Sequence, residues 1–121
     1  MKSIFVAGSR KFFQDVEKFI ELCKENNIEA ANAGKVTDEE DSYESEKAAL
    51  FGAFELIDKS YILYIIANDG YIGKTVALEI AYAFAKGKEI ISSEELEDFS
   101  VRALVSKIMK LKEMIKYAKS S

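Results

Sequence analysis

The sequence predicts an α/β fold, a three-layer sandwich with a mainly parallel sheet of four or five strands, and three observations carry that prediction. Short β-branched apolar runs alternate with segments whose apolar residues recur at helical spacing, so each strand is followed by a helix. One run, Tyr61-Ile62-Leu63-Tyr64-Ile65-Ile66-Ala67, is apolar without alternation, the pattern of a strand covered on both faces and therefore central. No proline, internal repeat or low-complexity linker divides the 121 residues, so they read as a single domain over 1–121.

Taken in order, Ile4-Phe5-Val6-Ala7 is a first strand ended by Gly8-Ser9, and Val16, Phe19, Ile20 and Cys23 mark a helix from Asp15 that Asn26-Asn27 break. Ile28 to Ala31 is a weak second strand, and Asn32 to Asp41 a polar loop. Tyr43 to Ile57 reads as a helix, with Ala48, Leu50, Phe51, Phe54 and Ile57 among its apolar positions. After the central strand, a helix from about Gly73 to Lys86 is closed by Gly87 as a C-terminal cap, and Glu89-Ile90-Ile91 follows as a fourth strand. Val101, Leu104, Val105, Ile108, Leu111, Ile115 and Ala118 then recur at helical spacing, which predicts one long amphipathic helix with lysines opposite. Parallel neighbours need right-handed crossovers, so a compact flavodoxin-like sandwich with helices on both faces results.

Composition narrows the function classes. An apolar fraction of 49% with 31% charged residues is that of a soluble globular protein, and the net charge of −4 argues against a nucleic-acid binder. Charge is uneven: Asp38-Glu39-Glu40-Asp41 with Glu44 and Glu46 form an acidic block, and Lys107, Lys110, Lys112, Lys116 and Lys119 load the C-terminus, both patterns fitting solvated surfaces. The single cysteine, Cys23, lies on an apolar helical stripe and cannot form an internal disulfide. No run approaches the ~20 apolar residues of a membrane span or forms a signal peptide, so a cytoplasmic protein is expected. Histidine is absent, which removes the usual general base, the commonest zinc ligand and every Ser/His or Cys/His arrangement. Catalysis would run on carboxylates, hydroxyls, Tyr, Lys or Arg.

Glu79 is the only charged residue between Lys74 and Lys86. A carboxylate there either reaches out through a polar gap or sits partly desolvated, with a raised pKa. Three places could carry chemistry. Gly70-Tyr71-Ile72-Gly73-Lys74-Thr75 ends like a P-loop, but only Tyr71 and Ile72 separate the first glycine from the Gly-Lys pair where the motif requires four residues. A strand-to-helix turn in which Gly70 and Gly73 permit close approach explains the glycines better. Gly8-Ser9-Arg10, at the carboxyl end of the first strand, offers a hydroxyl and a guanidinium to a phosphate or carboxylate, or is an ordinary surface turn. Glu79 could pair with Asp69 or Asp58, although a turn explains Asp69 and a helix end Asp58.

The run from Asp69 to Lys88, containing Asp69-Gly70, Gly73-Lys74-Thr75, Glu79-Ile80-Ala81-Tyr82-Ala83 and Gly87-Lys88, resembles the signature of the nucleoside 2-deoxyribosyltransferases. Ile4-Phe5-Val6-Ala7-Gly8-Ser9 resembles that family's first strand and loop, and Gly8-Ser9-Arg10 is also similar to the opening of the related 2'-deoxynucleoside 5'-phosphate N-hydrolases. The likeness spans most of the chain from Ile4 to Ile91. It implies that Glu79 is a nucleophile attacking C1' of a 2-deoxyribose, and Asp69, within the same signature, stands with it as the second catalytic candidate. Gly8, Ser9, Arg10, Gly70, Tyr71 and Gly73 would then line the substrate site. Ser9 and Arg10 would meet the sugar's 5' end or its phosphate. Tyr71 or Tyr43 would stack on a base or pack structurally, and Ser100 would face a partner subunit's site or serve as a helix N-cap.

The expected ligand is a small-molecule nucleoside or nucleotide, with no cofactor and no metal required, no nucleic acid and no membrane, in a homo-oligomer of two or more copies. Two other readings stand beside it: a nucleotide-binding or sensing module without turnover, and an interaction protein using the basic C-terminal helix. An exposed apolar stripe along Val101, Leu104 and Ile108 would mark the last.

Overall fold

The computed structural model describes residues 2–33 and 42–120, so the acidic run Asp38–Asp41 and most of the polar loop lie outside the described residues. Five strands, β1 (Ile4–Gly8), β2 (Ala30–Ala31), β3 (Ile62–Ile66), β4 (Glu89–Ser92) and β5 (Lys107–Ile108), form one sheet in the order β2-β1-β3-β4-β5, every pairing parallel. This is the flavodoxin-like order, whose direction of winding reverses between β1 and β3. β3 is buried at every position and central as expected, registered from Ile4 opposite Ile62 to Gly8 opposite Ile66.

Side chains alternate across these strands and divide the core in two. Ile4, Val6, Ile62, Tyr64, Ile66 and Ile91 face helices α1 (Phe13–Glu25) and α5 (Leu111–Ser120), meeting Val16, Phe19, Cys23, Met114, Ile115 and Ala118. Phe5, Ala7, Leu63, Ile65 and Ile90 face α2 (Tyr43–Asp58) and α3 (Lys74–Ala85), meeting Ala53, Ile57, Val76, Ile80 and Ala83. Cys23 is fully buried, and burial pushes its thiol up to about 12.

Local chemistry sets the ends of these helices. α1 stops where Asn27 takes a left-handed conformation, with the Ile28 amide donating back to the Cys23 carbonyl. α3 stops in the same way at Gly87, where the amides of Gly87 and Lys88 donate to the carbonyls of Phe84 and Ala83. α2 starts with a reciprocal box in which the Ser42 and Ser45 side chains cap one another's backbone amides.

The expected long helix over 101–118 does not form. The chain makes a short helix α4 (Phe99–Arg102), then β5, then α5. The reason is the open edge of β4, whose carbonyls need donors. The Ser106 amide donates to Ile90 O at 2.9 Å and the Met109 amide to Ser92 O at 2.9 Å. The apolar residues do not share one stripe either: Val101, Leu104 and Val105 pack with the α3 side of the sheet, and Met109, Met114, Ile115 and Ala118 with the α1 side. Ile108, between them, is exposed.

Candidate functional site

The crevice of such a sheet lies beyond the carboxyl ends of the strands flanking the reversal, here β1 and β3. After β1, Gly8 packs so closely on α1 that an added Cβ would stand 2.5 Å from Val16 Cγ2. Ser9 is buried and caps a single 3-10 turn over Arg10–Phe12, its Oγ accepting from the Lys11 amide at 3.3 Å. After β2, Asn32 Nδ2 donates to Val6 O at 2.7 Å and draws that loop over the end of β1. After β3, Asn68-Asp69-Gly70-Tyr71 forms a tight turn with φ of 56° at Asp69 and 76° at Gly70, closed by the Tyr71 amide donating to Asn68 O at 3.1 Å. Two successive positive φ angles at Asp-Gly define a type I' turn. It brings Tyr71 under the first loop, where Lys11 Nζ lies 4.5 Å from the ring centroid and Phe12 meets the ring edge-on.

A cavity of about 420 Å³ lies among these loops, with Glu79 in its wall. Glu79 stands in the second turn of α3 and is only 6% exposed. Burial pushes its carboxyl up to about 7, because the charged form is the one that loses hydration. No hydrogen bond to this carboxyl is found among the described residues. Gly73 opens α3 without a side-chain cap, and the first-turn residues Lys74, Thr75 and Val76 border the same space.

Of the residues singled out from sequence, Gly8, Ser9, Arg10, Tyr71, Gly73 and Glu79 line this cavity together. Asp69, Gly70 and Ser100 do not. Asp69 is exposed in the turn, and Gly70 borders an adjoining groove of about 490 Å³ with Glu97, Asp98 and Val101. Ser100 is not the N-cap of α4 either: Asp98 is, accepting from the Ser100 and Val101 amides, while Ser100 Oγ donates to Asp98 Oδ1 at 2.7 Å. Asp58 closes α2 at the other end of the sheet, where it accepts from Tyr82 Oη at 2.8 Å. Tyr43 is exposed and outside the cavity.

Glu79 therefore shares the cavity with a different carboxylate, Glu46 of α2, which forms an ion pair with Arg10. Asn32, Phe13, Thr75 and Lys74 complete much of the wall. Sequence reasoning placed Glu46 in a solvated acidic block. The signal available was its position four residues after Ser42, a serine that caps a helix and fixes which residues form the first turn. The P-loop remains excluded on structure, since the Gly70 carbonyl accepts from the Glu97 amide at 3.0 Å instead of the loop closing round a phosphate.

No protein-family model and no curated protein matches this sequence. Among solved structures, a 2-deoxyribosyltransferase from Bacillus psychrosaccharolyticus is similar over 95% of this chain and 91% of its own, with TM-score 0.73 and 16% identity. A conserved protein from Enterococcus faecalis gives TM-score 0.72 at 16% identity, over 99% of this chain and 98% of its own. A CMP N-glycosidase from Clostridium botulinum gives TM-score 0.63 at 21% identity, over 98% of both chains. The chain shares its fold with these proteins from end to end.

Proposed function

We propose that the chain belongs to the nucleoside 2-deoxyribosyltransferase family and breaks or transfers the N-glycosidic bond of a nucleoside or nucleotide, with Glu79 as nucleophile. The observation that carries this reading is the Glu79 side chain, almost wholly buried yet in the wall of a cavity it shares with Ser9 and Arg10. Two solved structures of the same fold, a 2-deoxyribosyltransferase and a CMP N-glycosidase, support the substrate class.

In the proposed reaction a Glu79 oxygen attacks C1' of the sugar as the C1'–N bond breaks. The bonding pair leaves with the base, which takes up a proton. Charge developing on the ring in the oxocarbenium-like transition state is stabilised by the adjacent carboxylate. The resulting glycosyl ester is opened by water, giving a hydrolase, or by a second base, giving a transferase. A desolvated carboxylate suits this role, since it enters the reaction without shedding a full hydration shell. Ser9 and Arg10 would hold the sugar's 5' end, and Tyr71 borders the space where a base would lie.

The test is release of free base from a panel of deoxynucleosides and their 5'-monophosphates. Glu79→Ala is expected to lower the rate by at least about 10³-fold. Undiminished release by that variant overturns the nucleophile assignment. Saturable binding with no release from any substrate favours the nucleotide-binding module instead.

A further inference from the structure

Glu46 has a place in the cavity that the proposed reaction does not use. It sits in the first turn of α2, where the box between Ser42 and Ser45 fixes the start of the helix and the helix dipole favours a negative charge. Its Oε1 engages the Arg10 guanidinium across the cavity wall, joining α2 to the loop after β1. Among the described residues Arg10 is the one planar, forked cation bordering the cavity, and a carboxylate presents to such a fork the same paired oxygens that a phosphate does.

We propose that Glu46 is an internal anion that competes with a ligand's phosphate for Arg10, and so shifts the cavity's preference toward ligands lacking a phosphate at that position. The inference rests on the reading of the cavity as a nucleoside or nucleotide site and makes Glu46 a specificity-determining residue acting through Arg10. The cavity is not closed to anions, because Lys11 and Lys74 also border it and the first turn of α3 lies in its wall. Glu46 withdraws one strong donor set from them. With both side chains of the pair partly exposed, at 48% for Arg10 and 36% for Glu46, the competition is modest, on the order of three- to fivefold in affinity.

The test titrates wild type, Glu46→Gln, Glu46→Asp and the double variant Arg10→Gln/Glu46→Gln with inorganic phosphate at fixed ionic strength. A deoxynucleoside and its 5'-monophosphate follow. Glu46→Gln is expected to bind phosphate and the monophosphate about three- to fivefold more tightly, with the deoxynucleoside changing less than about twofold. Glu46→Asp should restore wild-type phosphate affinity, and the double variant should lose the gain. A purely structural role for Glu46 would weaken all three ligands together. Phosphate affinity that is unchanged or lower in Glu46→Gln, or a gain that survives without Arg10, overturns the proposal. The phosphate titration involves no turnover, so failure of every substrate to release base would refute the N-glycosidic reading while leaving this result to stand or fall alone.

Discussion

At Glu79 a composition anomaly and a structural one coincide. The lone charge of an apolar helix is the residue the fold buries against a cavity, and its carboxyl rises from an ordinary 4.5 to about 7 by desolvation. The sign of the consequence follows from proton counting. Between pH 4.5 and 7 the native state holds a proton that the unfolded chain has released. The contribution from Glu79 is therefore intact below about 4.5, declines as pH rises toward 7 and is lost above it. A shift of that size corresponds to on the order of 3 kcal/mol. Glu79→Gln should gain stability relative to wild type by roughly that amount between pH 4.5 and 8, read from denaturant midpoints, while the two midpoints keep a constant separation below pH 4. A constant separation across the whole range would refute the raised pKa. In the proposed reaction activity should move the opposite way, with kcat/KM rising through about pH 7 as Glu79 ionises. Sequence exposed Glu79, Ser9 and Arg10 because each stands out against its neighbours. Glu46 was hidden because one glutamate in an acidic stretch looks like another until the Ser42 cap and the path of α2 from β2 to β3, past β1, give it a direction.

Elements whose patterns are local were legible, and elements that exist to satisfy another element were not. Strands β1 and β3 and helices α1, α2 and α3 announce themselves by periodicity and end signals. β5 is two residues long and forms because the carbonyls of β4 need donors, a requirement invisible in the stretch from Val101 to Ala118 itself. Glycines separate along the same line. Gly8 is required by packing between elements: a Cβ there would overlap Val16 Cγ2, a side chain locked in the core. Gly52, inside α2, has nothing within 4 Å of the same position. Gly8→Ala should therefore lower stability by about 1–3 kcal/mol through overpacking and displace Ser9 and Arg10, weakening binding at the proposed site as well. Gly52→Ala should raise stability by about 0.5–1 kcal/mol, since alanine loses less backbone entropy in a helix. Thermal or denaturant melts of the two variants check this, and equal effects in the same direction would contradict the packing described for β1 and α1.

At the scale of the molecule, the site depends on a sheet that is buried from both sides. The parallel arrangement was readable from alternation, since strands joined by helices leave parallel order as the economical solution, and the reversal between β1 and β3 fixes where loops converge. What alternation could not show is how the two cores share one backbone. Tyr64 and Leu63 are neighbours in β3, yet one belongs with Phe19 and Met114 and the other with Ile57 and Ile80. Neither helical layer has a second sheet to fall back on, so loss of one face removes the support of the other. Met114→Ala and Ile57→Ala, which empty fully buried positions on opposite faces, should each cost about 2–5 kcal/mol. The double variant should lose close to the sum, because the two side chains belong to separate core clusters on opposite faces of the sheet. Both singles should still unfold in one transition, with hydrogen-exchange protection falling in α1, α3 and β3 together and not only on the mutated face. Two resolved transitions, or protection lost on one face alone, would show that the layers are independent units joined by a sheet that can survive on one of them.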